Sequence, residues 1–197
     1  RDQWRRASPR RSSRPVSVRQ RPRIKVMTSN DPIFLADLSF VLAREGGLVD
    51  NTKDPGGRTN QGITQRVYDR WRGQQGRPIQ DVALIAQEEL RAIYYTGYYA
   101  PLISLASPDL SLLAFDTAVN MGLTRAILWC QACRTAPFPR DAFLWKRKDA
   151  YREIVREHPV LREFLAGWYQ RLRILRRYLR MSADPQLDQL WRSARSL

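Results

Sequence analysis

The 197-residue sequence has only two cysteines and one histidine, and no apolar run near the ~18 residues that a membrane-spanning helix requires. Cys130 and Cys133 cannot form the disulfide framework that staples small secreted domains, so stability must come from packing. Cys130-Gln131-Ala132-Cys133 has the spacing of a metal or redox pair, but zinc takes about four ligands, and the single imidazole, His158, stands just before Pro159. These cysteines read as buried or half-buried helix thiols, and no metal or organic cofactor is expected. Acidic residues are also scarce: 19 Asp and Glu stand against 34 Lys and Arg, a formal charge of +15.

Most of that charge sits at one end. Residues 1–26 carry nine Arg and Lys25 against Asp2 alone, a net +9, which leaves +6 for the remaining chain. Rich in Arg, Ser and Pro and poor in apolar residues, residues 1–28 are expected to be a disordered basic tail, because they bury too little surface to offset their ordering entropy. The tail lacks the apolar centre of a secretory signal. Met27, where it ends, is a candidate start of translation. Residues 29–197 are long enough for one core and are expected to form one domain.

From Ser29 onward, apolar residues recur at three- and four-residue spacing, which predicts a mainly α fold. Asp31 offers a capping oxygen before Pro32, and Phe34, Leu35, Leu38, Val41 and Leu42 form one stripe of a first helix running to about Glu45. Gly46 and Gly47 are expected to close it in a left-handed conformation. Further helices are predicted over about 64–71, 81–95, 108–120, 123–134, 141–157, 159–181 and 185–194, with Ser107 and Asp184 as caps and Asp141 punctuating a helix start. Between the first two lies a polar, glycine-rich loop with room for a small β-hairpin.

That loop carries the chemistry. It places Glu45 at a helix end, and Asp50, Asp54, Thr59 and Thr64 among glycines. At the electronegative end of a helix a protonated carboxyl is easier to keep, which suits Glu45 to a general acid. Asp54, beside Pro55-Gly56-Gly57, is set to stay ionised, and Thr59 and Thr64 supply hydroxyls that orient a water. One proton donor and one carboxylate are what glycosidic cleavage requires. Taken singly, each residue is ordinary turn chemistry. A calcium loop at Asp50-x-Thr52-x-Asp54 is rejected, because Pro55 replaces the turn glycine and Gln61 the bidentate glutamate.

The block as a whole resembles the signature of glycoside hydrolase family 108, bacterial and phage N-acetylmuramidases of the lysozyme-like superfamily. Glu45-Gly46-Gly47, Asp54-Pro55-Gly56-Gly57 and Thr59-Asn60-Gln61-Gly62-Ile63-Thr64 match its E-G-G, D-P-G-G and T-x-x-G-I-T. Phe115-Asp116-Thr117-Ala118-Val119-Asn120-Met121-Gly122 is similar to F-D-x-A-V-N-x-G, and Tyr98-Tyr99-Ala100-Pro101 to an aromatic pair before proline. Arg147, Tyr151, Phe164, Gly167-Trp168 and Arg171 follow the family's later spacing. The resemblance implies a lysozyme-like helical domain that cleaves the β-1,4 bond between N-acetylmuramic acid and N-acetylglucosamine. Glu45 is the acid by resemblance; Asp54 is the second carboxylate by spacing and by analogy with phage lysozymes. The family's peptidoglycan-binding segment is largely missing after about residue 134, and Leu48 and Lys53 depart from a more polar or acidic loop.

Asp116 and Asn120, both candidate substrate-binding residues, fall one turn apart on one helix face, where Asn120 either ends the helix or meets a substrate acetamido group or a water. Tyr98, with Trp71, Tyr94, Tyr95 and Tyr99, is a candidate for stacking on sugar, although such aromatics more often fill a core. Arg171, Arg173, Arg176, Arg177 and Arg180 are expected to form a solvated cationic face that attracts an anionic wall polymer or a membrane surface. The expected partner is peptidoglycan, the expected state a monomer, and the expected location cytoplasmic until release to the periplasm or wall. Two other readings remain: a polyanion- or nucleic-acid-binding protein acting through the Arg-rich tail, and an inactive glycan-binding relative.

Overall fold

The computed structural model describes residues 28–49 and 58–196; the basic stretch before them, together with Asp50 and Asp54, lies outside the described residues. Eight α-helices appear among the described residues: α1 (Pro32–Leu42), α2 (Gln65–Gln74), α3 (Gln87–Tyr94), α4 (Ser111–Met121), α5 (Leu123–Cys133), α6 (Pro139–Glu157), α7 (Leu165–Tyr178) and α8 (Pro185–Arg195). The one sheet described is an antiparallel pair, β1 (Thr59–Asn60) and β2 (Ile63–Thr64), with Thr59 opposite Thr64 and Asn60 opposite Ile63. The fold is mainly α with a small hairpin in the glycine-rich loop, as the sequence predicts. No helix described is long and apolar enough to cross a membrane.

Helix α4 is the axis. Its residues 112–118 are all buried, so it packs on every side instead of on one stripe. Phe115 meets Tyr99 edge-on at 5.1 Å, and Phe34 of α1 closes on Tyr99 at 4.9 Å, which ties the first helix to the centre. Cys130 and Cys133 are buried free thiols on α5, and burial pushes the Cys130 thiol up to about 11. Gly122, at φ 96° and ψ 145°, joins α4 to α5 in a conformation that a side chain would strain, so the predicted stop falls there.

Several predicted boundaries shift. Helix α1 ends at Leu42, and its last turn tightens, with Arg44 N–H donating to Val41 at 2.9 Å and Glu45 N–H to Leu42 at 3.2 Å. Gly46 and Gly47 do not take the left-handed conformation expected of them. The predicted helix over 81–95 is a 3-10 turn, Val82–Leu84, followed by α3, because Asp81 caps the turn and extended Ala86 restarts the chain. Beyond α3 the chain widens into a π segment, Tyr95–Tyr99. The predicted helix over 159–181 begins as a 3-10 segment, Pro159–Phe164, and α7 stops at Tyr178. Asp31 and Asp184 cap as expected, accepting from Ile33 and Leu187, whereas Ser107 makes no side-chain cap.

Asp37, on the buried side of α1, accepts from Ser111 at 3.2 Å and from Tyr99 at 3.4 Å. Burial outweighs these bonds and raises its carboxyl from 3.8 to about 6. Between those values the folded protein holds a proton that the unfolded chain has released, so this group's contribution to stability falls as pH rises from about 4 to 6. Asp37→Asn is expected to gain on the parent by about 2 kcal/mol between pH 4 and pH 7, as read by urea denaturation. A pH-independent difference would contradict this account.

Candidate active site

The hairpin reaches the end of α1 through its turn. Gln61 (φ 47°) and Gly62 (φ 78°) both have positive φ, the geometry that suits a two-residue hairpin turn. A Cβ at Gly62 would stand 2.5 Å from the Tyr94 hydroxyl and 3.3 Å from Oε2 of Glu45, so glycine is required for space as well as for φ. The Tyr94 hydroxyl donates to the Gln61 carbonyl at 2.8 Å and fixes the turn to α3. On its other side the hairpin is held by Asn60, which donates to the Val82 carbonyl at 3.1 Å, and by Gln65, which accepts from Val82 N–H at 2.7 Å. Val49 pairs with Thr59 in both directions, at 2.8 and 2.9 Å, so the chain leaves and re-enters the hairpin at one place.

Glu45 therefore lies between the hairpin turn and α7. Its Oε1 accepts from Arg171 Nη2 at 2.9 Å, and its side chain is 20% exposed. Arg171 also forks onto Asp116, with Nη2 at 2.8 Å and Nε at 3.0 Å from Oδ1. Asp116 is fully buried and takes a second guanidinium, Arg147 Nη1, at 2.5 Å. Arg147, itself fully buried, also donates to Thr117 at 3.1 Å, Tyr151 at 2.8 Å and Asn120 Oδ1 at 3.0 Å. Two guanidiniums thus face two carboxylates. Burial works against the Asp116 charge, but Arg147 and Arg171 outweigh it and hold its carboxyl below the usual range. Burial likewise opposes the charge on Arg171, and Asp116 and Glu45 more than offset it.

This network corrects two expectations. Asp116 is not placed to touch a substrate: it has no solvent exposure, and its oxygens are taken by two arginines. The arginines of α7 are not simply a solvated face. Arg171 binds Asp116 and Glu45, Arg173 pairs with Asp188 at 2.6 Å, and buried Arg176 pairs with Asp141 at 2.7 Å. The spacing rule that puts charges on a helix's outer face misses them, because α4 takes up Arg171 while α8 and the loop before it take up Arg173 and Arg176.

The remaining candidates fall around Glu45 or outside view. Tyr98 is half-buried beside Tyr94, with ring centroids 5.7 Å apart, and burial followed by the Glu45 charge raises its hydroxyl. Thr64 caps α2, its hydroxyl oxygen accepting from Val67 N–H at 3.3 Å, while Thr59 sits opposite it in the hairpin. Asn120 is exposed and stands on α4 one turn beyond Asp116, where its Oδ1 accepts from Tyr151 at 2.8 Å as well as from Arg147. Asp54 lies outside the described residues. From the sequence Arg147 is a spacing match, and Arg171 a spacing match and part of an expected solvated face, with no hint that they converge on one aspartate.

A mainly helical domain with a glutamate just past its first helix and a hairpin packed on that glutamate has the lysozyme-like architecture. Residues 38–122 match the family model Glycosyl hydrolase 108. The structure is similar to that of SagA from Brucella abortus, with 25% identity and a TM-score of 0.57 over 78% of this chain and 97% of that one. Together these findings support assignment of the chain to glycosyl hydrolase family 108. Among curated proteins, none matches the chain.

Truncating Asp116 to Ala leaves two buried guanidiniums without their counter-charge. A loss of about 3–5 kcal/mol is expected in urea denaturation, and a change below about 1 kcal/mol would show that the pairing is not needed.

Proposed function

We propose that the protein is a peptidoglycan hydrolase, an N-acetylmuramidase in which Glu45 is the general acid. The observation that carries this reading is the placement of Glu45: the hairpin turn lies against one of its oxygens, one N–H of Arg171 holds the other, and part of the side chain meets solvent. In the proposed reaction Glu45 protonates the oxygen between N-acetylmuramic acid and N-acetylglucosamine as the bond to the anomeric carbon breaks. Asp54, placed by its sequence motif, steadies the positive charge or directs a water, and Thr59 and Thr64 orient that water. No cofactor is called for.

Asn120 fits a substrate contact of one polarity. With Oδ1 accepting from Arg147 and Tyr151, what it offers a ligand is its amide N–H, and the carbonyl of an N-acetyl group accepts such a donor. Tyr98, half-buried near the Glu45 charge, supplies an aromatic edge to the same region.

Replacing Glu45 by Gln removes the ionisable proton donor at nearly equal volume. Release of new reducing ends from purified peptidoglycan is expected to fall at least about 100-fold, with the fold intact by circular dichroism. Equal release by both proteins would remove Glu45 from its role. No release by either folded protein would favour an inactive, glycan-binding relative.

A further inference from the structure

Arg171 comes from α7, 126 residues after Glu45 and beyond residues 38–122, where the family model matches. Its guanidinium plane is not free to turn, because Nε and Nη2 are both fixed on Asp116, itself fixed by Arg147 at 2.5 Å. The second N–H of Nη2 therefore has a set direction, and Oε1 of Glu45 lies along it at 2.9 Å. The other oxygen, Oε2, faces the hairpin at Gly62, an exposed residue where a Cβ would stand 3.3 Å from that oxygen and 2.5 Å from the Tyr94 hydroxyl.

We propose that Arg171 is a positioning residue, which pins Oε1 of Glu45 and so leaves Oε2 as the oxygen that carries and delivers the proton. This rests on the reading of Glu45 as the acid. In the step itself the O–H bond at Oε2 breaks and a new one forms to the glycosidic oxygen. The electron pair of the bond to the anomeric carbon passes to that oxygen, and Glu45 is left as a carboxylate facing Arg171. Arg171 exchanges no proton and touches no substrate. A guanidinium that no longer forks onto Asp116 would let the Glu45 carboxyl rotate, and proton delivery would then compete with misdirected orientations.

The experiment compares Arg171→Lys and Asp116→Asn with the parent on two substrates that share one N-acetylmuramyl glycan. The first ends in the natural sugar, whose departure needs a proton; the second is a dinitrophenyl glycoside, whose leaving group departs without one. Lysine keeps the charge but lacks the fork, and asparagine keeps the shape of Asp116 while weakening its hold on Arg171. Both variants are expected to lose kcat on the natural glycan by about 10- to 100-fold, with KM within about threefold, and to lose less than about threefold on the activated glycoside. Where Arg171→Lys fails to fold, Asp116→Asn alone decides the matter by the same ratio. Equal losses on both substrates, or unchanged kcat on the natural glycan, would show that the arginine only stabilises the fold. A parent that cleaves neither substrate would overturn the muramidase reading, and this inference with it.

Discussion

Asp116 takes two arginines in a space with no solvent, and the arrangement around it depends on that fact. Burying a charge costs several kcal/mol per ion, and attraction inside the protein offsets this only when the hydrogen bonds are nearly complete. Here they are: Arg147 has partners in Asp116, Thr117, Tyr151 and Asn120, and Arg171 has them in Asp116 and Glu45. The network draws α4, α6 and α7 to one point. A neutral core of the same volume would hold these helices together as well, but it would give no fixed direction to a carboxylate at the surface.

The site is a junction between two parts of the chain. The segment that matches the family model supplies Glu45, the hairpin, Tyr94, Tyr98, Asp116 and Asn120; the later helices supply Arg147, Tyr151 and Arg171. A second buried network stands behind the hairpin, where Glu89 accepts from Tyr68, from Arg72 at 2.9 Å and from Arg77 at 2.8 Å, and so links α2 to α3. The hairpin is held from both sides: one attachment runs through Gln65 and Asn60, and the other through Tyr94. A two-stranded ribbon alone is marginal in water, so its position at Glu45 is set by these side chains.

Helices with a clear period and a cap were legible in the sequence, as at Asp31-Pro32 and Asp184-Pro185, because the capping oxygen and the proline act locally. The hairpin was legible as a small element in a glycine-rich loop. The break between Asp81 and Gln87 was not, since it depends on Val82 bonding Gln65 from another element. The motif singled out Glu45, which the structure sets against the hairpin turn and Arg171, and the family resemblance of residues 38–122 is supported by the family match. The role of Arg171 was hidden, because nothing local distinguishes an arginine that turns inward onto a distant aspartate from its solvated neighbours. Asp116 shows the reverse error: motif position made it look like a sugar contact, while burial makes it the centre of the scaffold.

The proposed muramidase cuts glycan strands on the muramic acid side through Glu45. Digestion of purified peptidoglycan by the full chain, followed by borohydride reduction and mass spectrometry of the fragments, reads the newly formed end directly. The account predicts reduced N-acetylmuramic acid at the new ends, absent from the Glu45→Gln digest. New ends carrying reduced N-acetylglucosamine, or cleavage confined to the peptide stems, would contradict it.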